Sequence, residues 1–285
     1  MAPYFSFIVL LCAFVSLLTG TGAAAVGTAT KPTVILIPAA FSKATVYDKV
    51  KHKLSNTGYD IVAVDLPSVG RGASKVDRTP EIEAVQKVLS RRIHQGKDIV
   101  LVGNSYGATV ICDAVKDFED KSAMKYPSSS NGKILGLIFF SGFIPYISEL
   151  SGAGPDIRHI SPSWFRFEST KRVFWDNDIK NHPPQFTLYN LLPSSEARTY
   201  SGSLQPSSFA ALNATATYIP YDGKFRTLYF IGKYDNTVPS ALAESYLVQP
   251  GAKWENVTID GDHSPMLSRP NEFVNIVRRF SREKA

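Results

Sequence analysis

The sequence predicts an α/β architecture: a mostly parallel sheet of about six strands flanked by helices, with a helical cap inserted at roughly 145–220. Three observations predict it. From Lys31 onward, short apolar runs alternate with amphipathic helical stretches. The runs are apolar throughout, as expected of strands covered on both faces. Between Pro145 and Pro220 that alternation gives way to a region rich in Pro, Ser and aromatic residues, and then resumes.

In chain order, Thr33-Val-Ile-Leu-Ile37 reads as a strand and 43–55 as a helix. Strand Ile61-Val-Ala-Val-Asp65 follows, then a turn-rich stretch to Ala73 and a helix over 80–94, whose proline suits a first helical turn. Strand Asp98-Ile-Val-Leu-Val102 leads into a further helix, and Ile134-Leu-Gly-Leu-Ile-Phe-Phe140 is the next strand. After the cap come strand 227–231, helix 240–247, strand 256–260 and a last helix over 270–280. One domain is expected over 26–285, and no internal repeat is visible.

The first thirty residues contain no Asp, Glu, Lys or Arg, and Phe5 to Leu18 is almost continuously apolar. That predicts a secretory signal peptide over 1–25, cleaved after Ala25 with Ala23 and Ala25 at the small-residue positions. The expected location is secreted and extracellular. The alternatives are the lumen of the secretory pathway or an uncleaved signal anchor, since only the α-amino group supplies positive charge at the start. No later segment reaches membrane-spanning length. Of the two cysteines, Cys12 lies in this leader. Cys112 then has no intramolecular disulfide partner and reads as a buried, inert thiol. Asn213-Ala-Thr215 and Asn256-Val-Thr258 are candidate glycosylation sequons, with acceptors Asn213 and Asn256. The net charge of +6 is dispersed. It includes no Lys/Arg block, so a nucleic-acid partner is not expected. No cysteine cluster, His-Glu-x-x-His pair, P-loop or G-x-G-x-x-G is present, so neither a metal nor a nucleotide cofactor is expected.

The chemistry concentrates in Gly103-Asn-Ser-Tyr-Gly107, a G-x-S-x-G between a buried strand and a helix. Such a turn lifts a serine clear of the strand end in a strained conformation, and only small neighbours let strand and helix approach that closely. Ser105 is the candidate nucleophile, and the Tyr106 amide a candidate oxyanion donor at the positive end of the helix. A serine needs a base. Of five histidines, His52 and His94 precede it on predicted helices, and His159 and His182 fall in the cap. Only His263 follows a late strand, in Gly261-Asp-His-Ser-Pro. Asp235, just beyond strand 227–231, is the acid expected to fix the histidine tautomer. Asp262 adjoins the histidine, where neighbouring side chains usually diverge, and Asp260 falls within its strand.

On these residues the chain resembles the α/β-hydrolase fold, and within it the small, cofactor-free branch of plant methyl-ester esterases, hydroxynitrile lyases and fungal hydrolases. The matching phrases are Val34-Ile-Leu-Ile-Pro-Ala-Ala-Phe41, Asp65-Leu-Pro-Ser-Val-Gly70, the elbow, Gly232-Lys-Tyr-Asp235 and Gly261-Asp-His-Ser-Pro-Met-Leu-Ser-Arg-Pro270; Leu188-Tyr-Asn-Leu-Leu192 in the cap is similar to fungal members. The resemblance implies a second oxyanion donor at the Ala40 amide. It departs from relatives that carry His-Gly or Pro-Gly at Pro38-Ala39. Alanine tolerates positive φ less well than glycine, so either the loop takes another conformation or a donor is misplaced.

The leading expectation is a secreted serine hydrolase acting on a small-to-medium apolar carboxylic ester or lactone, with pocket residues drawn from Phe41, Trp164, Phe165, Trp175, Phe186 and Tyr189. Phe167 and Phe174 belong to the same aromatic set. Two alternatives stand beside it. One is a hydroxynitrile-lyase-like carbon–carbon lyase on the same triad, for which Lys171 and Lys180 are the candidate cap lysines. The other is a non-catalytic protein that binds a small ligand on a hydrolase scaffold.

Overall fold

The computed structural model describes residues 31–119, 132–152, 154 and 156–281; the predicted signal peptide lies outside them. Apolar runs form strands β1 (Thr33–Ile37), β2 (Asp60–Ala63), β3 (Ile99–Asn104) and β4 (Ile134–Phe140), interleaved with helices α1 (Asp48–Ser55), α2 (Thr79–His94) and α3 (Tyr106–Ala114). After the inserted segment come β8 (Thr227–Gly232), α8 (Ser240–Leu247), β9 (Glu255–Ile259), α9 (Pro265–Ser268) and α10 (Pro270–Phe280).

The six body strands pair in the order β2-β1-β3-β4-β8-β9, all parallel. β1, β3 and β8 are buried along their whole length. Their polar backbone is satisfied only by neighbouring strands, which is why these segments are continuously apolar. The edge strands differ from that expectation: β2 is half-buried and β9 largely exposed, because each lacks a neighbour on one side. The amphipathic α10 buries Phe273, Val274, Ile276, Val277 and Phe280 against the sheet. There Phe273 stacks on Phe140 with ring centroids 4.3 Å apart.

The inserted segment, expected to be helical, contains four short helices, α4 (Ile157–Ile160), α5 (Pro184–Thr187), α6 (Ser194–Gly202) and α7 (Phe209–Leu212), and also an antiparallel three-stranded sheet of β5 (Arg166–Glu168), β6 (Arg172–Phe174) and β7 (Ser207–Ser208). Proline marks where three of these elements begin: Pro183, Pro193 and Pro206 stand immediately before α5, α6 and β7, where a missing N–H and a fixed φ do least harm. The hairpin between β5 and β6 turns at Ser169 with φ 53°.

A buried polar network ties α2, α3 and the end of the cap together. Arg78 pairs with Asp113 (3.1 Å) and donates to the carbonyls of Ala211 and Ala214. Asp113 also accepts from the amide and hydroxyl of Thr217. The Tyr106 hydroxyl donates to Glu81 at 2.5 Å. Removing one partner of so buried an ion pair costs about 3–5 kcal/mol, because the other charge is stranded. Cys112 is fully buried on α3, and burial pushes its thiol well above the ordinary range.

Two predictions follow from this packing. A Cβ at Gly107 would lie 2.5 Å from the carbonyl oxygens of both Ile37 and Pro38. Gly107→Ala should therefore destabilise the protein by about 3 kcal/mol or fail to fold, as read by denaturant unfolding. Burial raises the Glu81 carboxyl above the usual carboxylate range, against lowering contributions from Ser68, Tyr106 and Arg78. The folded chain thus keeps a proton that the unfolded chain has already released, and the stability tied to this group falls as pH rises through that window. The melting temperature of Glu81→Gln, taken relative to wild type, should rise as pH increases above the ordinary glutamate range; a flat difference would contradict this.

Candidate active site

β3 delivers Ser105 directly into α3. The serine adopts φ 52° and ψ −124°, a conformation costing a non-glycine residue about 1–3 kcal/mol. The surroundings hold it: its amide donates to Phe140, and its carbonyl accepts from Ala108 and Phe143. Gly103 and Gly107 permit the approach, since a Cβ at Gly103 would meet the Ala108 amide at 2.8 Å. The first amides of a helix have no intrahelical acceptor. The Tyr106 amide accordingly has no hydrogen-bond partner among the described residues.

Two loops at the same end of the sheet bring a carboxylate and an imidazole together. Asp235, beyond β8, accepts the Thr237 and Val238 amides on Oδ1, each at 2.8 Å. Its oxygens lie 3.1 and 3.0 Å from Nδ1 of His263, which sits between β9 and α9. A carboxylate only accepts, so Nδ1 carries the proton and Nε2 is left with its lone pair. His263 is 1% exposed, and its Nε2 has no partner among the described residues. Asn104, next to the serine, donates from Nδ2 to the His263 carbonyl at 3.2 Å. Asp262 points elsewhere, accepting from the Leu191 and Ser264 amides and the Ser268 hydroxyl. Burial raises its carboxyl above the usual range. Asp260 is exposed and pairs with Lys233. His52, His94 and His159 are exposed, and His182 pairs with Asp178 in the cap.

The loop after β1 takes another conformation from the one a glycine motif would need. The left-handed residue is Phe41, with φ 65°, and neither Ala39 nor Ala40 has positive φ. The Ala40 amide, like that of Tyr106, donates to no group among the described residues.

Ser105, His263, Ala40 and Tyr106 all line one cavity of about 240 Å³. Of the aromatic residues expected at the pocket, Phe41, Phe165, Trp175 and Tyr189 are on its wall. Phe41 meets Phe165 and Trp175 edge-on, with centroids 5.3 Å from each. Trp164 and Phe186 are not on the wall, which corrects their assignment. Trp164 packs behind it against Trp175 and His182, while the single turn of α5 directs Phe186 outward, 50% exposed. Phe167 and Phe174 also lie off the wall: Phe167 packs on Phe209, and Arg166 and Arg172 cover Phe174. Wall residues missed in the sequence include Phe143, Ile144, Tyr146, Leu212, Tyr246 and Arg78. The Phe143-Ile-Pro-Tyr146 run follows β4 after only Ser141 and Gly142, so the rule that strand ends converge on sites would have found it. Arg78 carried no local signal. Asn213 also lines the cavity, its Oδ1 accepting the Ile157 amide, whereas Asn256 is exposed on β9. Among the described residues, no group of three or more His, Cys, Asp or Glu could hold a metal ion, and no helix is long and apolar enough to cross a membrane.

Comparison with known proteins fits this arrangement. The chain is 24% identical over 254 residues to the alpha/beta hydrolase nvfD of Aspergillus novofumigatus, covering 89% of this chain and 98% of that protein. It is 23% identical to methylesterase 7 of Arabidopsis thaliana, covering 80% of this chain and 88% of that one. The crystal structure of polyneuridine aldehyde esterase superposes with a TM-score of 0.69 at 18% identity, over 88% of this chain and 99% of that one. The sequence profile of the alpha/beta hydrolase family matches residues 34–276, and the chain belongs to that family.

Proposed function

We propose that the protein is a secreted serine esterase that cleaves a small-to-medium apolar carboxylic ester or lactone through an acyl-enzyme. One observation carries this reading: the unpartnered Nε2 of a buried histidine on the same cavity wall as Ser105, its Nδ1 held by Asp235. Ser105 Oγ attacks the carbonyl carbon while His263 Nε2 takes its proton. Asp235 keeps Nδ1 protonated and stabilises the imidazolium. The oxyanion is received by the Tyr106 and Ala40 amides, which have no other partner to release among the described residues. His263 returns the proton to the departing alkoxide. Water, deprotonated by the same nitrogen, then releases the acid and restores the serine.

The substrate class rests on the wall. It is dominated by aromatic and aliphatic side chains, and its one arginine is committed to Asp113 and two carbonyls. A neutral, apolar acyl or alcohol group suits such a wall better than a charged one. The relatives bearing esterase names support the reaction type. The lyase alternative loses weight, since Lys171 and Lys180 are both exposed and neither lines the cavity. The secretory route follows from the apolar leader, with removal of residues 1–25. On that route the exposed Asn256 is the better glycan acceptor, because the Asn213 side chain is engaged at the cavity.

Hydrolysis of a p-nitrophenyl ester series tests the chemistry. Ser105→Ala and His263→Ala should lose turnover by roughly 10⁴-fold or more, and Asp235→Asn by a comparable factor, with KM little changed. Wild-type turnover in Ser105→Ala would sink the proposal. Mass spectrometry of the secreted protein should find Val26 at the N-terminus, with a glycan that Asn256→Gln removes.

A further inference from the structure

We infer that Ser207, a cap residue far from the catalytic serine in sequence, is a positioning residue for the oxyanion loop; this rests on the esterase reading above. The observation is the left-handed backbone of Phe41, φ 65°, in a bulky residue that rarely adopts it. Left to itself, such a residue relaxes to negative φ. Here both of its backbone groups are held by one short cap segment. The Phe41 amide donates to Ser207 Oγ at 2.8 Å, and the Phe41 carbonyl accepts the Gln205 amide at 2.8 Å.

That segment is itself firmly anchored. Ser207 is fully buried, pairs with Val173 in the cap sheet and bridges to Val69 of the body. On either side, Gly70 donates its amide to Pro206, and Ser208 donates its amide to Ser68. The hydroxyl therefore sits on a rigid strand locked to both layers. Its hydrogen bond fixes the peptide plane between Ala40 and Phe41. That plane in turn bounds the torsions orienting the preceding one, which carries the Ala40 N–H proposed to meet the oxyanion. In a loop without glycine, Ser207 supplies from outside the restraint that holds the conformation.

The test compares Ser207→Ala, Ser207→Thr and wild type. Ser207→Ala should lower kcat by roughly 10-fold to 100-fold, the scale of a misplaced but present donor, with KM within about twofold. Affinity for a boronic-acid transition-state analogue should fall by the same factor, while affinity for the neutral product alcohol stays unchanged. Ser207→Thr, which retains the accepting oxygen, should restore kcat. Should Ser207→Ala not fold, Ser207→Cys keeps the side-chain size with a weak sulfur acceptor and carries the same expectations. Unchanged kcat, or KM and kcat damaged together with weakened product binding, would overturn the inference. A crystal structure separates it from the esterase reading: residue 41 should leave positive φ in Ser207→Ala, and an unmoved loop overturns the inference whether or not the wild type cleaves esters. Absence of Ser105-dependent turnover in the wild type, with the loop moved as expected, would instead count against the esterase reading alone.

Discussion

The arrangement depends on one close approach, that of the first turn of α3 to the end of β1. Gly107 lies so near the carbonyls of Ile37 and Pro38 that no side chain fits between them. This contact brings together two loops that are 60 or more residues apart in sequence: the elbow with Ser105 and the loop with Ala40 and Phe41. It also aims the amide end of α3 into the cavity, where partial positive charge accumulates from unpaired N–H groups. The parallel sheet makes the approach possible, because β1 and β3 are adjacent and end at the same level, with Ile37 opposite Gly103.

Around that contact, strain and its restraint are divided between body and cap. Ser105 and Phe41 both occupy left-handed backbone. The body holds the first, through the carbonyl of Phe140 at the end of β4 and the amides of Ala108 on α3 and Phe143 beyond β4. The cap holds the second, through Ser207, Gln205 and the rings of Phe165 and Trp175. The buried Arg78–Asp113 pair makes a similar join elsewhere, binding the returning cap segment at Ala211, Ala214 and Thr217 to α2 and α3. Desolvating two charges is expensive, and such a pair adds little net stability against an apolar substitute. Its effect is to fix where the chain leaves the cap.

Much of this was legible in the sequence, for identifiable reasons. The central strands were readable because burial on both faces demands continuous apolar runs. Ser105, Asp235 and His263 could be picked out as candidates because each follows a strand in the order the elbow requires. The structure places Ser105 and His263 on one cavity wall and Asp235 against the imidazole. The cap was much less legible. Its β5–β6 hairpin alternates over only three residues per strand, and β7 is two residues long, too short for periodicity to register. Phe186 and Trp164 looked like pocket residues because composition shows aromaticity and not direction. Attention to the Pro38-Ala39 departure was well placed within one or two residues, but sequence alone gave no way to see that a serine 166 positions later would accept the Phe41 amide.

That separation bears on how specificity and rate are linked. A lid that only covers a cavity can vary with its substrate while the chemistry beneath stays constant. Here the cavity wall proposed to meet the substrate includes Phe41, Phe165 and Trp175, and Phe41 is also the residue whose backbone follows directly after the Ala40 amide. Any change that repacks those rings pulls on the same torsions that orient the proposed donor. Close-packed interiors transmit such shifts because they have no slack to absorb them. On the proposed reading, substrate selection and transition-state stabilisation would therefore be coupled through a single residue, and altering the cap for a new substrate would carry a penalty in rate unless the hold on Phe41 is preserved.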